Sequence, residues 1–276
     1  MATTRTETPG KTGASPARMS PAPGDSYVQS FARGLEVIRS FSAQSPKQTL
    51  TEVAGRTGLT RAGARRILLT LQTLGYVESD GKLFRLTPRI LDLGFAYLSS
   101  LPIWNLAEPV MEALVDEVKE SCSAAVLEGT DIIYVLRVPT HKIMSISLSV
   151  GSRLPAYCTS LGRMLLSALP PDQIMQVLQA SERTARTRYT VTDVDELAVK
   201  IAQVRKQGWS LINQELEEGL VSIAAPITDR AGQTVAALNI SGQANRSSAK
   251  VMQETMLPQL RAAARAISNR LGLQHN

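Results

Sequence analysis

The chain has 276 residues, 43% of them hydrophobic, which is enough for two soluble domains with buried cores; its net charge of +6 suits a polyanionic partner without requiring one. Two well-separated cysteines, Cys122 and Cys158, and two histidines, His141 and His275, exclude a Cys/His zinc site by spacing and fit a reducing compartment. No signal-like apolar leader and no apolar run of about 18 residues is present, so a cytoplasmic protein without a membrane partner is expected.

In chain order, residues 1–25 are rich in Pro, Gly, Ser, Thr and Ala and are expected to form a disordered tail. Its Arg5, Lys11 and Arg18 are either a solvated leader or loose contacts to phosphate. From Ser30 to Phe41 the apolar residues Phe31, Leu35, Ile38 and Phe41 recur at helical spacing. Thr49 is placed to cap a second, short helix that buries Leu50, Val53 and Ala54, carries Glu52 in its first turn and closes at Gly58. Thr60 opens a third helix, with Ala64, Ile67, Leu68, Leu71 and Leu74 as its buried stripe and Gly75 as its end. Two helices joined by a tight Gly-containing turn, the second studded with arginine, form a helix-turn-helix layout. The segments YVES and KLFRLT around Asp80-Gly81 then predict a hairpin. Together they predict a winged helix-turn-helix over residues 26–87.

Pro88 starts a helix, PRILDLGFAYLSSL, that is apolar nearly all round. Residues 88–102 therefore form either a linker helix that packs against a twin in a dimer or part of one core. Residues 103–276 are expected to be α+β. A helix over NLAEPVMEALVDEVKES leads to a strand pair around Gly129-Thr130, then a strand over MSISLSV. Helices over TSLGRMLLSAL, PPDQIMQVLQA and DVDELAVKIAQVRKQG precede a hairpin around Arg230-Ala231-Gly232 and a last helix, Ala249 to Leu271. One antiparallel sheet with flanking helices accounts for these elements.

Chemistry concentrates in two places. Thr60, Arg61, Arg65 and Arg66 lie near the start of the third helix, with Arg61 and Arg65 on one face. Guanidinium groups read guanine and clamp phosphates, and Ala62, Gly63 and Ala64 permit close approach to a duplex; a solvated cationic face is the plainer alternative. Lys82 and Arg85 on the hairpin suit flanking phosphates. The larger domain shows no nucleophile and base pair, no Gly-rich phosphate loop and no metal motif at convincing spacing, so no catalytic residue, cofactor or metal is expected. Glu215, Glu217 and Glu218 are a solvated turn or a ligand cluster. Small and polar residues in GSRLPAYCTSLGR, VSIAAPI and LNISG suit the lining of a pocket, with Arg153 as a partner for a carboxylate.

These residues resemble the IclR family of bacterial regulators, through SFARGLEVIRSF, TLTEVAGRTGLTRAGARRILLTLQTLGYVESDGKLFRLTPRILDLGFAYLSS, DIIYVLRVP, VGSRLPAYCTSLGRMLLSALP and EEGLVSIAAPI. Within it they are similar to the regulators of the β-ketoadipate pathway of aromatic acid breakdown. The resemblance implies a GAF-like effector domain, operator binding to double-stranded DNA by the helix carrying Thr60, Arg61, Arg65 and Arg66, and a homodimer or homotetramer. It also implies contact with a small organic acid by the segment Leu148 to Gly162, notably Leu148, Gly151, Arg153, Pro155, Tyr157, Thr159 and Ser160, by Ser222, Asn239 and Ser241, and more weakly by Glu215. RNA polymerase is a further partner it suggests. The sequence departs from many relatives at AYCTS, where Tyr157 and Cys158 alter the pocket. An enzyme-like domain fused to a DNA-targeting module is the alternative.

Overall fold

The computed structural model describes residue 24 and residues 26–100, 103–140 and 148–273. Apart from Gly24, the expected tail lies outside them, as do residues 144–147 of the expected strand MSISLSV. The chain divides into two compact units, one ending at Leu101 and the other starting at Pro102.

In the first unit, α1 (Gln29–Arg39) precedes β1 (Gln48–Thr49), α2 (Leu50–Thr57) and α3 (Arg61–Thr73). The start of α2 is fixed twice over. The Thr49 hydroxyl oxygen accepts from the Glu52 N–H, and the Glu52 carboxylate accepts from the Thr49 N–H at 2.7 Å, so two otherwise orphaned donors are satisfied reciprocally. Gly58 then ends the helix at φ +65°, a left-handed conformation that costs glycine little. Val37, Val53, Ala54, Ala64, Leu68, Leu71 and Val77 make the core, most of it on the predicted stripes.

The wing is a three-stranded sheet in the order β1-β3-β2, with β2 at Val77–Ser79 and β3 at Leu83–Leu86. Two details differ from the sequence reading. Ser79 faces Phe84, so the turn centres on Gly81-Lys82, with Gly81 at φ +98°; Asp80 sits before the turn and its carboxylate accepts from the Lys82 and Leu83 N–H groups. β1 is too short to carry a periodic signal and appears only because Gln48 and Thr49 pair with Phe84 and Leu83. A 3-10 turn at Pro88–Ile90 leads into α4 (Leu91–Ser100), which belongs to this unit and leaves Leu91, Leu93, Phe95 and Tyr97 exposed.

The second unit is built on an antiparallel six-stranded sheet in the order β6-β5-β4-β9-β8-β7. Its strands are β4 (Ser121–Glu128), β5 (Asp131–Val138), β6 (Arg153–Pro155), β7 (Ser210–Asn213), β8 (Leu220–Thr228) and β9 (Thr234–Gln243). The hairpins at Gly129 and at residues 229–233 lie where the turn residues predicted them; β6 and β7 were not foreseen as strands. On one face α6 (Ser160–Leu166) packs on Ala125, Ala224 and Ala237, with α7 (Pro171–Ala180) and α8 (Val194–Gln207) beside it. The alternate residues Ile223, Leu238 and Ile240 are equally buried and face the other way, where α5 (Ile103–Val118) and the C-terminal helix supply cover. That last helix begins at Ala249, widens to a π turn over Met252–Met256 and continues over Leu257–Leu273.

Candidate functional site

The first candidate surface is the start of α3. Thr60 is its N-cap, the hydroxyl oxygen accepting from the Gly63 N–H at 3.1 Å. Arg61, Arg65 and Arg66 are exposed, and among the described residues Arg61 and Arg65 have no ion-pair partner. Arg66 turns toward the groove between α3 and α1, which it lines together with Phe31, Leu35 and Ile67. On the wing Lys82 is exposed. Arg85 is not free: it pairs across the strands with Glu78 at 2.6 Å, so its charge is already balanced. Lys47, which the sequence reading passed over, lies beside the wing with Glu78, Asp80 and Arg85.

The second is a narrow cleft in the larger unit, with an enclosed volume of about 30 Å³, room for little more than a water molecule as it stands. Its floor is polar. Ser160 and Ser222 hydroxyls meet at 2.6 Å, the Asn239 amide donates to Ser222 Oγ at 3.0 Å and to Ser241 Oγ at 2.9 Å, and Ser241 Oγ lies 3.1 Å from Ser222 Oγ. The orientation of Asn239 is fixed because its Oδ1 accepts from the Ser123 N–H at 3.1 Å. Thr159, Leu148, Leu161, Ile212, Leu216 and Leu220 wall the cleft, with Tyr134, Arg137 and Cys158. Arg137 donates to Ser123 Oγ at 3.0 Å, which holds its guanidinium against the same polar floor.

Burial pushes the Tyr134 hydroxyl up to about 12, against a smaller opposing pull from Arg137, so it stays a neutral donor near pH 7. Burial likewise raises the Cys158 thiol to about 11; protonated, it is an apolar wall element and not a nucleophile.

Of the residues expected here, Leu148, Thr159, Ser160, Ser222, Asn239 and Ser241 do line the cleft. Five others do not. Arg153 lies at the sheet edge, half exposed, paired with Asp131 at 3.2 Å and donating to the Glu128 carbonyl. Gly151, at φ +87°, shapes the turn whose N–H bonds the Tyr134 carbonyl. Pro155 ends β6 and accepts the Thr159 hydroxyl. Tyr157 is fully buried and donates to the Thr184 carbonyl at 2.7 Å. Glu215 is not a solvated acid either; it is buried and grips Arg163 through both oxygens. Among the described residues, the cationic member of the cleft is Arg137, which the sequence hid inside an apolar strand, DIIYVLRV.

Among the described residues no group of three His, Cys, Asp or Glu could hold a metal ion, and no single helix is long and apolar enough to cross a membrane.

Residues 95–269 match the model of the bacterial transcriptional regulator IclR C-terminal domain, and residues 30–81 match the IclR helix-turn-helix domain. The chain is 44% identical to the Pca regulon regulatory protein of Pseudomonas putida, over 94% of this chain and 90% of that one. It is 33% identical to the p-hydroxybenzoate hydroxylase transcriptional activator of Acinetobacter baylyi, over 89% and 92%. A solved IclR homologue from Microbacterium hydrocarbonoxydans, complexed with 4-hydroxybenzoate, superposes with a TM-score of 0.78 at 26% identity, covering 88% of this chain and 98% of that one. With both domains matched in order, and with an exposed arginine-bearing helix in the first, this chain belongs to the IclR family of bacterial transcriptional regulators, which bind DNA through a helix-turn-helix.

Proposed function

We propose that the chain is an effector-responsive regulator of genes for aromatic acid breakdown, and that its effector is a small monocyclic hydroxylated aromatic acid. The observation that carries this reading is the placement of a guanidinium, Arg137, and a Ser-Asn hydrogen-bonding cluster in one cleft with apolar walls. A carboxylate is matched by the first and a ring hydroxyl by the second; the ring enters between Leu148, Leu161 and Leu216 as these side chains part to widen the narrow cleft. The names of the relatives and the ligand of the Microbacterium homologue point to the same chemistry. Operator DNA meets Thr60, Arg61 and Arg65, with Lys82 at the flank, in the cytoplasm. A homodimer or homotetramer covers the apolar surface that α4 exposes at Leu91, Leu93 and Phe95, and RNA polymerase is the partner where the regulator activates.

The effector must bind two arrangements of the protein with unequal affinity if it is to shift operator occupancy. Thermal melts of the full chain against benzoate, 4-hydroxybenzoate, protocatechuate and their ring-cleavage products test the ligand class. An acid supplied at one hundred times its Kd should stabilise the protein by about 2.7 kcal/mol; the absence of a shift with every acid in the set overturns the reading.

A further inference from the structure

A buried ion pair lies behind the cleft without touching it. Arg163, on α6, donates through Nη1 and Nη2 to the two carboxylate oxygens of Glu215 at 2.8 and 2.5 Å, and through Nε to the Tyr157 carbonyl at 2.8 Å. Arg163 is 3% exposed and Glu215 8%. Glu215 follows Gln214, whose φ of +62° is uncommon for a residue with a side chain. The turn between β7 and β8 is tied down at several further points: the Val191 N–H donates to the Glu215 carboxylate, the Thr190 hydroxyl to the Glu215 carbonyl and the Thr187 hydroxyl to the Gln214 carbonyl.

Each end of the pair adjoins a wall of the cleft. Ser160 and Leu161 precede Arg163 on the same helix, Ser160 one turn earlier; Leu216 adjoins Glu215 and, with Leu220, forms the opposing wall. A buried ion pair gives little net stability compared with a well-packed apolar pair, so its geometric effect outweighs its energetic one. We propose that Arg163 and Glu215 are positioning residues for effector binding: they brace α6 against the β7–β8 turn and so fix where Leu216 stands relative to the Ser160-Ser222 floor. This rests on the ligand reading given above for the cleft.

The test uses the full chain carrying Glu215→Gln, and separately the double variant Arg163→Met with Glu215→Leu. Amide hydrogen exchange over residues 214–220, melting temperature and affinity for 4-hydroxybenzoate and benzoate are measured on each. The double variant should melt a few degrees below the wild type, because the Tyr157 carbonyl and the Val191 N–H lose their partners, exchange about tenfold faster over 214–220, bind 4-hydroxybenzoate about tenfold more weakly and discriminate less between the two acids. Exchange over 214–220 that matches the wild type overturns the brace whether or not any acid binds. Faster exchange with unchanged affinity and discrimination overturns the positioning role. Failure of the wild type to bind any aromatic acid overturns the ligand reading, and the exchange arm still decides whether the pair fixes the wall.

Discussion

Gly162 offers a direct trial of the close packing beneath the cleft. Replacing a glycine inside a helix by alanine ordinarily stabilises it by about 1 kcal/mol. Here the Cβ would sit 2.2 Å from the Ala156 carbonyl oxygen and 2.3 Å from its Cα, both backbone atoms with no rotamer to escape into. To restore a contact of 3.0 Å, the backbone between Ala156 and α6 must open by roughly 0.8 Å, and Thr159 and Ser160 lie on that segment. Overpacking of this kind costs about 1–3 kcal/mol and sometimes more, and with a clash on three backbone atoms of Ala156 the upper end applies. The net change for Gly162→Ala is therefore a loss of about 2 kcal/mol, which for a domain of this size lowers Tm by about 4–8 °C. Scanning calorimetry of the full chain reads that shift, and an effector titration should show weakened binding while operator affinity in the absence of effector is kept. A melting temperature equal to or above that of the wild type would refute the reasoning.

Arg61→Ala or Arg65→Ala should each cost roughly 1–3 kcal/mol of operator affinity if the residue reads a base, whereas Arg85→Ala should cost less because Glu78 already balances that charge; gel-shift titrations at fixed salt compare the three. Arg137→Ala should weaken aromatic acid binding by about 1.5–3 kcal/mol, the worth of a hydrogen bond to a charged group, while Arg153→Ala leaves the effector response intact; calorimetric titration separates the two. Glu52 is held below its ordinary value of 4.5 by the Thr49 N–H and hydroxyl. A lowered carboxyl stabilises the fold above that value and loses its contribution as pH falls through the folded value. Melts of the winged-helix unit from pH 6 downward should therefore show an acid-side loss that Glu52→Gln removes, and a variant with an unchanged pH profile would contradict the capping box.

The winged helix was legible because its signals are local. Thr49 with Glu52, Thr60 with its following small residues and Gly81 with its turn each act within about four positions, and the structure places them within one or two residues of where they were read. The cleft was half legible. Ser160, Ser222, Asn239 and Ser241 declared themselves as polar residues in small-residue segments, but nothing local says that they converge. Arg137 and Tyr134 sit on a strand that reads as core, and only its pairing with β4 brings the guanidinium to Ser123. Arg153 misled for the converse reason. A cation in a loop-like segment reads as ligand-seeking until the fold supplies Asp131 beside it. Glu215 and Arg163 lie 52 positions apart, and no periodicity links them.

The larger sheet ends in two very short strands, β6 with three residues and β7 with four. A sheet margin offers a row of unsatisfied amides and carbonyls on which another chain can build, and natural proteins blunt it by keeping it brief. An extended peptide adding to β6 or β7 gains only a few bonds, although β5 and β8 run past them, at Val135–Val138 and Ala225–Thr228. Among the described residues, β6 and β7 are therefore poor templates for strand addition.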